Sequence, residues 1–256
     1  MAMQFHARGR VMALRFLATA ILSAVFLGDG AVSSSAQTLE EFVKAFSGKW
    51  VAFDDRYRAD GQQCTIDLAG DAVADKLALK GENCAGELGT VETWGIVDNQ
   101  LALFDAGGVP VVRLGGNQRR ISGSTASDQP VILERASMPG IAAVLRSAAE
   151  AAGCYYLGFS DKCAPTDELS SPHSMDSKGD YKVKVVVNLN VRSAARADSE
   201  VRGVVPINTC LRVEQCVRSS DSVWCRAKFG EMTGWISKAT LRQERWPIIT
   251  FTNDCD

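Results

Sequence analysis

Trp50, Cys64-Thr65-Ile66-Asp67-Leu68, Leu77-Ala78-Leu79, Cys84, Trp94, Leu101-Ala102-Leu103-Phe104-Asp105-Ala106-Gly107-Gly108 and Val131-Ile132-Leu133-Glu134-Arg135 succeed one another between Trp50 and Arg135. Short alternating runs, broken by Gly, Asp and Asn about every eight to twelve residues, are the pattern of an antiparallel barrel or sandwich. Nothing within this stretch has helical spacing. Alternation puts Val51 and Phe53 on one core face, and it points Ile66 and Leu68, then Leu101 and Leu103, inward. Asp105-Ala106-Gly107-Gly108 reads as a hairpin turn whose glycines supply positive φ, with Val109 to Leu114 returning as the partner strand. The glycines at 107, 108, 115 and 116 all read as turns, and no glycine-rich phosphate loop occurs. Trp50 and Trp94 are expected in the barrel or at its mouth, as structural residues.

Upstream, Leu39, Phe42, Val43 and Phe46 fall at i, i+3, i+4 and i+7, one apolar helical face over Gln37 to Phe46. Thr38 and Glu41 have the spacing of a capping box, and Gly48 ends the helix. Still earlier come Arg8, Arg10 and Arg15, an apolar run from Phe16 to Leu27, and small residues ending Ser34-Ser35-Ala36. That order is a secretory signal, too short for a comfortable membrane span, with cleavage expected after Ala36. The competing readings are an uncleaved anchor and a cut after Gly30. No cysteine precedes Cys64, so a lipid-modified cysteine at the cleavage site is excluded.

Without residues 1–36, 25 of the 28 basic and 29 of the 30 acidic side chains remain. So mild an acidic balance creates no field for nucleic acid or anionic lipid, and the mature protein is expected to have neither nucleic acid nor membrane as partner. All eight cysteines lie beyond the signal, an even number that suits disulfides in an oxidising compartment, periplasmic or secreted.

Downstream, Pro139 opens and Gly153 closes a helix with Ile141, Val144, Leu145 and Ala148 on one face. Cys154 to Cys163 forms a compact loop expected to be closed by its own disulfide. Its aromatics Tyr155, Tyr156 and Phe159 fit equally a contact surface or packing on the barrel. Ala164 to Asp180, rich in Ser, Pro, Asp and Lys, reads as a flexible linker.

The inventory of reactive groups argues against an enzyme. Of two histidines, His6 leaves with the signal and His173 lies in the serine-rich linker. Nucleophilic triads and zinc hydrolases need histidines held by their surroundings. Asp54, Asp55, Glu82 and Glu87 could supply paired carboxylates, but solvated loop charges explain them better. No cofactor and no metal site is expected.

In their joint order, the tryptophan, cysteine, cysteine, tryptophan and Asp-Ala-x-Gly hairpin of residues 50–108 resemble the alkaline protease inhibitor family. These are small secreted barrels that block serralysin-type zinc proteases, with relatives among outer-membrane lipoproteins. The resemblance covers about two-fifths of the chain and implies a Cys64–Cys84 disulfide. The loop it closes is about twenty residues long, and such a crosslink contributes about 3 kcal/mol. It further implies that the residues ahead of the first strand plug a protease cleft while the barrel rim rests on the enzyme. The inhibitory segment would be Gln37, Thr38, Leu39, Glu40 and Glu41, and the partner a secreted protease, with a zinc metalloprotease favoured. In that family the free amine can approach the catalytic zinc. Here an N-terminal glutamine readily cyclises, and the helical pattern from Thr38 leaves one or two residues free to thread a cleft. Contacts by Gln37 to Glu41 and the rim are therefore expected to matter more than zinc ligation.

In the last part, Val183, Val185 and Val187 alternate, followed by Leu189-Asn190-Val191-Arg192-Ser193, Val204-Val205-Pro206, Val223-Trp224-Cys225 and Gly234-Trp235-Ile236. From Val183 to Leu241 this resembles bacterial SH3 domains, which implies a second small barrel and a peptidoglycan or envelope-protein partner. Cys216 and Cys225 then sit on neighbouring strands, which leaves Cys210 for Cys255 in the tail.

The expected architecture is all-β: a small antiparallel barrel of lipocalin or streptavidin type, then an SH3-like barrel, with short helices before and after the first. The expected boundaries are 1–36 signal peptide, 37–136 inhibitor-like barrel with its helix, 137–180 helix, loop and linker, 181–243 SH3 domain and 244–256 tail. The function expected is protease inhibition. The alternative is a non-inhibitory cell-envelope binding protein.

Overall fold

The computed structural model describes residues 39–137, 141–172 and 181–255. Residues 1–36 with the expected signal, Gln37 and Thr38, Pro139, His173 and the second half of the expected linker lie outside the described residues. Helix α1 (Leu39–Phe46) leads into eight strands: β1 (Gly48–Ala52), β2 (Cys64–Val73), β3 (Lys76–Glu82), β4 (Val91–Val97), β5 (Gln100–Asp105), β6 (Pro110–Gly116), β7 (Arg120–Thr125) and β8 (Pro130–Arg135). They pair in sequence order and close into a barrel, with Trp50 opposite Arg135 and Ala52 opposite Leu133 where β1 meets β8. Closure satisfies every strand edge and removes the template for intermolecular pairing.

The inward positions are Trp50, Ala52, Ile66, Leu68, Trp94, Leu101, Leu103, Leu114, Ile121 and Leu133, all buried in one core. Val51 and Phe53, expected inside, are half-buried on the outer face, because Trp50 and Ala52 take the interior in the register fixed by Ile66 and Cys64. Both tryptophans are fully buried, and each indole N–H has a carbonyl: Trp50 Nε1 donates to Phe46 at 2.8 Å and Trp94 Nε1 to Ala69 at 2.8 Å. That pairing removes the cost of an unsatisfied buried donor. Among the expected turn glycines, Gly108 has positive φ and Gly107 does not; Gly115 and Gly116 lie within β6, Gly116 at its end with φ +155°, and the turn falls at residues 117–119. The β4–β5 hairpin turns on Asp98-Asn99, both at positive φ, the conformation of a tight two-residue turn.

Helix α2 (Ile141–Ala152) ends at Gly153 with φ +80°. Among its described side chains Ala142 and Leu145 are buried, whereas Val144, expected on one face with Leu145, is 58% exposed. Beyond it come β9 (Tyr156–Leu157), β10 (Tyr181–Val185), β11 (Leu189–Arg192), β12 (Val201–Val205), β13 (Cys210–Arg218), β14 (Val223–Phe229), β15 (Met232–Ser237), β16 (Ala239–Arg242), β17 (Trp246–Ile249) and β18 (Phe251–Thr252). Seven form a curled sheet in the order β12-β11-β15-β14-β13-β10-β18, and β16-β17-β9 form a smaller one. Val183, Val185, Val187, Leu189 and Val191 all enter its core. Gly234 lets β15 pack closely on β11, since a Cβ there would meet Val191 Cγ1 at 2.5 Å and the Arg192 carbonyl at 2.6 Å.

The segment expected as a tail after residue 243 is structural. Ile248, Ile249 and Phe251 are core residues, β17 pairs with β16 and β9, and β18 pairs with β10. The first half of the expected linker is likewise docked: Glu168 accepts from Asn253 N at 2.7 Å and from the buried Lys238 ammonium at 3.2 Å. Disulfides join Cys64 to Cys84, Cys154 to Cys163, Cys210 to Cys255 and Cys216 to Cys225, so no cysteine is free. Among the described residues no helix is long and apolar enough to cross a membrane.

Residues 37–256 form one compact unit. The curled sheet lies against the outer face of β7–β8, where Ile132, Ala195, Val217 and Trp224 make a buried apolar cluster. Around it Arg120 bridges Glu134 at 3.0 Å and Asp221 at 2.5 Å, and Glu134 also accepts from the Ser220 backbone N–H at 2.9 Å. At the neighbouring rim Asp54 accepts from Arg218 N at 2.8 Å, while Arg56 donates to the Cys216 carbonyl at 2.8 Å. The two halves are thus joined by desolvated charge pairs and a shared core.

Candidate functional site

Helix α1 sits at one end of the barrel. Phe42, Val43 and Phe46 pack against the barrel core, and Val43 lies over Gly70 of β2, where an added Cβ would come within 3.6 Å. Phe42 and Phe46 are 4.4 Å apart between ring centroids, and Phe46 stacks on Trp50 at 6.3 Å. Glu40 and Glu41 are exposed in the first turn, where negative charge complements the helix dipole.

The helix is tied down at its other end by Arg135, the last residue of β8. Its guanidinium donates to the Ser47 carbonyl at 2.7 Å and the Ala45 carbonyl at 2.5 Å, while its Nε donates to the Gln118 carbonyl at 2.8 Å. It also lies over the Trp50 ring at 4.5 Å. A cation on the last free carbonyls of a helix satisfies them and opposes the dipole. Burial pulls the Arg135 pKa down from its ordinary value. No local signal in the sequence marks Arg135 for this work. Its role arises because barrel closure sets the end of β8 beside the start of β1.

Of the expected inhibitory residues, Leu39, Glu40 and Glu41 form the first turn of α1, and Gln37 and Thr38 lie outside the described residues. Phe42, Val43 and Phe46 face the barrel, whereas Glu40, Glu41 and Lys44 are exposed on the outer side of α1. The surrounding rim carries the β2–β3 tip, with Val73 exposed and Ala74 at positive φ, and the Asp98-Asn99 turn. The opposite barrel end is filled: Tyr57 and Leu88 are buried, and the Tyr57 hydroxyl donates to the Pro130 carbonyl at 2.9 Å. Burial raises the Tyr57 pKa well above the ordinary phenol.

The four acidic residues weighed as catalytic candidates have structural partners. Asp54 is buried, pairs with Arg56 at 3.0 Å and caps a short 3-10 turn at Asp55–Tyr57. Its pKa is raised chiefly by burial, against the lowering influence of Arg56. Asp55 pairs with Arg58, Glu82 with Lys80, and Glu87 accepts from Ser127. Among the described residues no group of three His, Cys, Asp or Glu could hold a metal. In the Cys154–Cys163 loop, Tyr156 packs edge-on to Trp246 at 6.0 Å, while Phe159 is exposed beneath Arg242.

The site is thus a closed eight-stranded antiparallel barrel with a helix pinned across one end. Residues 41–135, from the first turn of α1 to Arg135, match the family model described as protease inhibitor Inh. The barrel is therefore similar to an inhibitor domain, over a minority of the chain. No curated protein matches the chain. A solved structure of the antimicrobial peptidase lysostaphin from Staphylococcus simulans aligns with 85% of this chain and 99% of that chain, at 11% identity and a TM-score of 0.25. At that score the likeness bears on neither fold nor function.

Proposed function

We propose that this protein inhibits proteases, acting outside the cytoplasm and without turnover, by presenting the first turn of α1 and the residues ahead of it to a protease cleft. The observation that carries the reading is the anchored root. Residues Phe42–Phe46 are fixed to a closed barrel by Trp50 and Arg135, so the segment before them leaves from a preorganised base. Preorganisation lowers the ordering cost of binding. The match of residues 41–135 to the inhibitor family supports the same reading. A zinc metalloprotease of serralysin type is the favoured target, by resemblance of the barrel. The absence of any free cysteine fits an oxidising compartment, periplasmic or secreted. The curled sheet is read as the SH3-like module, an envelope-binding or protein-binding surface.

The test is titration of the full chain against a serralysin-type protease and a panel of serine and cysteine proteases, beside a variant lacking Gln37 to Glu41. Inhibition by the parent, lost in the deletion with the barrel still folded, supports the proposal. Lack of inhibition at micromolar concentration defeats it.

A second reading, a non-inhibitory envelope-binding protein, is favoured by a groove of about 450 Å³ in the second half, bordered by Leu145, Phe159, Leu189, Trp224 and Leu241. It predicts retention of the full chain on purified peptidoglycan with no effect on any protease. An isolated fragment ending near residue 243 would lack Ile248, Ile249 and Phe251 and is unsuited to the assay.

A further inference from the structure

The outer face of the curled sheet carries a row of cations. Val183, Val185, Leu211, Val213 and Ala227 are buried in the core, so alternation turns Lys182 of β10, Arg212 of β13 and Lys228 of β14 outward, where all three are exposed. Register then aligns them. Lys182 stands opposite Arg212, and Arg212 opposite Lys228, on three adjacent strands. Residues so opposed have their Cβ atoms about 4.5–5.5 Å apart, and like charges there weaken the sheet rather than support it. A fourth cation, Arg202 of β12, donates to the carbonyl of Thr233, the residue opposite Lys228, at 2.9 Å. The row stands out in a chain whose formal net charge is −2.

Lys182, Arg212 and Lys228 border a groove of about 440 Å³, together with Thr209 and the half-buried ring of Phe229. No Asp or Glu borders it. Among the described residues Lys182 and Lys228, on either side of Arg212, have no carboxylate within ion-pair distance. Of the carboxylates nearest in sequence, Glu214 is paired with Arg226 at 2.8 Å, and Glu231 lies in the β14–β15 turn, off the border of the groove. We propose that this groove binds an anionic polysaccharide, its acidic groups meeting the row of cations while a sugar ring covers Phe229.

Two other anionic partners fit the surface less well. At Arg212 and Lys228 the strands are paired on both sides, and the row runs across the strands. An acidic peptide would therefore find no free edge for the main-chain pairing that gives extended peptides their affinity. None of the exposed large apolar side chains borders the groove, so nothing there would enter a bilayer beneath anionic headgroups. The surface is distinct from α1 and from the groove at Leu145 and Trp224, and the proposal is independent of protease inhibition.

The experiment is calorimetric titration of the full chain with two acidic glycans, oligogalacturonate for carboxylate and phosphomannan for phosphate. A neutral maltooligosaccharide, polyglutamate and phosphatidylglycerol vesicles are titrated beside them. At least one acidic glycan is expected to bind, about tenfold or more tighter than any of the other three, and which one binds identifies the acidic group. Added salt should weaken binding, since exposed charges are screened beyond about 8 Å at physiological ionic strength. Lys182→Gln and Lys228→Gln should each weaken it by about twofold to fivefold, and the double variant by about tenfold. Their Tm should be unchanged or raised, because repulsion along the row is relieved. Lys80→Gln, at an exposed lysine of β3 in the barrel, removes the same charge and should bind like the parent. The proposal is overturned if neither acidic glycan binds, or if the neutral glycan, polyglutamate or the vesicles bind as tightly. It is overturned equally if Lys80→Gln weakens binding as much as the row variants, or if the row variants lower Tm, which would mark the row as structural. Protease inhibition assayed on the same preparations is expected to be unchanged in every variant, so the two proposals fail separately.

Discussion

Replacing Arg120 with Met should cost this protein about 3–5 kcal/mol, far more than a surface charge is worth. The side chains of Arg120, Glu134 and Asp221 are 6%, 9% and 8% exposed, and one guanidinium nitrogen lies 3.0 Å from the first carboxylate and 2.5 Å from the second. Met keeps an unbranched apolar stem but lacks the guanidinium, and it leaves two carboxylates facing each other across a dry interface. Their remaining partners, the Ser220 backbone N–H and hydroxyl on Glu134 and the Ser219 hydroxyl on Asp221, supply hydrogen bonds but no countercharge. For a chain of this size the loss corresponds to a fall in Tm of about 10 °C. The triple variant Arg120→Met, Glu134→Gln, Asp221→Asn removes the charges together and should return to within about 1–2 kcal/mol of the parent, because the cost lies in the unpaired ions. Urea unfolding read by far-UV circular dichroism and by the fluorescence of Trp224, buried at this interface, should give one coincident transition in the parent. The reasoning is refuted if Arg120→Met costs less than about 1 kcal/mol. Two separate parent transitions, with the barrel insensitive to the substitution, refute it as well.

Lys238 is buried, and burial lowers its pKa to about 8 despite the opposing pull of Glu168. The folded state therefore binds fewer protons than the unfolded chain between about pH 8 and pH 10, so stability should rise with pH across that window. Thermal melts of the parent should show the rise, and Lys238→Met should flatten it; equal slopes exclude Lys238 as the source. Cys64→Ala with Cys84→Ala opens a loop with a sequence separation of 20 residues, and denaturant titration should show a loss of about 3 kcal/mol with the barrel still formed. Gly234→Ala overpacks β11 against β15 and should cost about 1–3 kcal/mol by the same titration, a neutral result meaning that Val191 yields freely.

Much of the local structure was legible in the chain because its causes are local. Val183, Val185 and Val187 alternate with period two, and a strand's side chains alternate by the same period, so all three fall on one face. Phe42, Val43 and Phe46 lie on one side of any helix that contains them, which makes their docking on an apolar surface foreseeable. Which of two alternating sets goes inward was less legible. Val51 and Phe53 are as apolar as Trp50 and Ala52, and the register of β1 against β2 and β8 makes the choice.

At the candidate sites the division is sharper. By itself the sequence determined the period-two alternation, the turn after Asp105, the helical face ahead of the first strand and an even set of cysteines, since each follows from neighbouring residues and backbone geometry. Only the tertiary structure decided that Arg135 pins α1, that residues 246–252 complete the second sheet, and that Asp54, Arg56, Arg120 and Glu134 join two halves into one unit. Those partners are brought together by barrel closure and sheet docking. A charge that reads as solvated from its neighbours in sequence becomes a desolvated clasp when the fold places a counterion beside it.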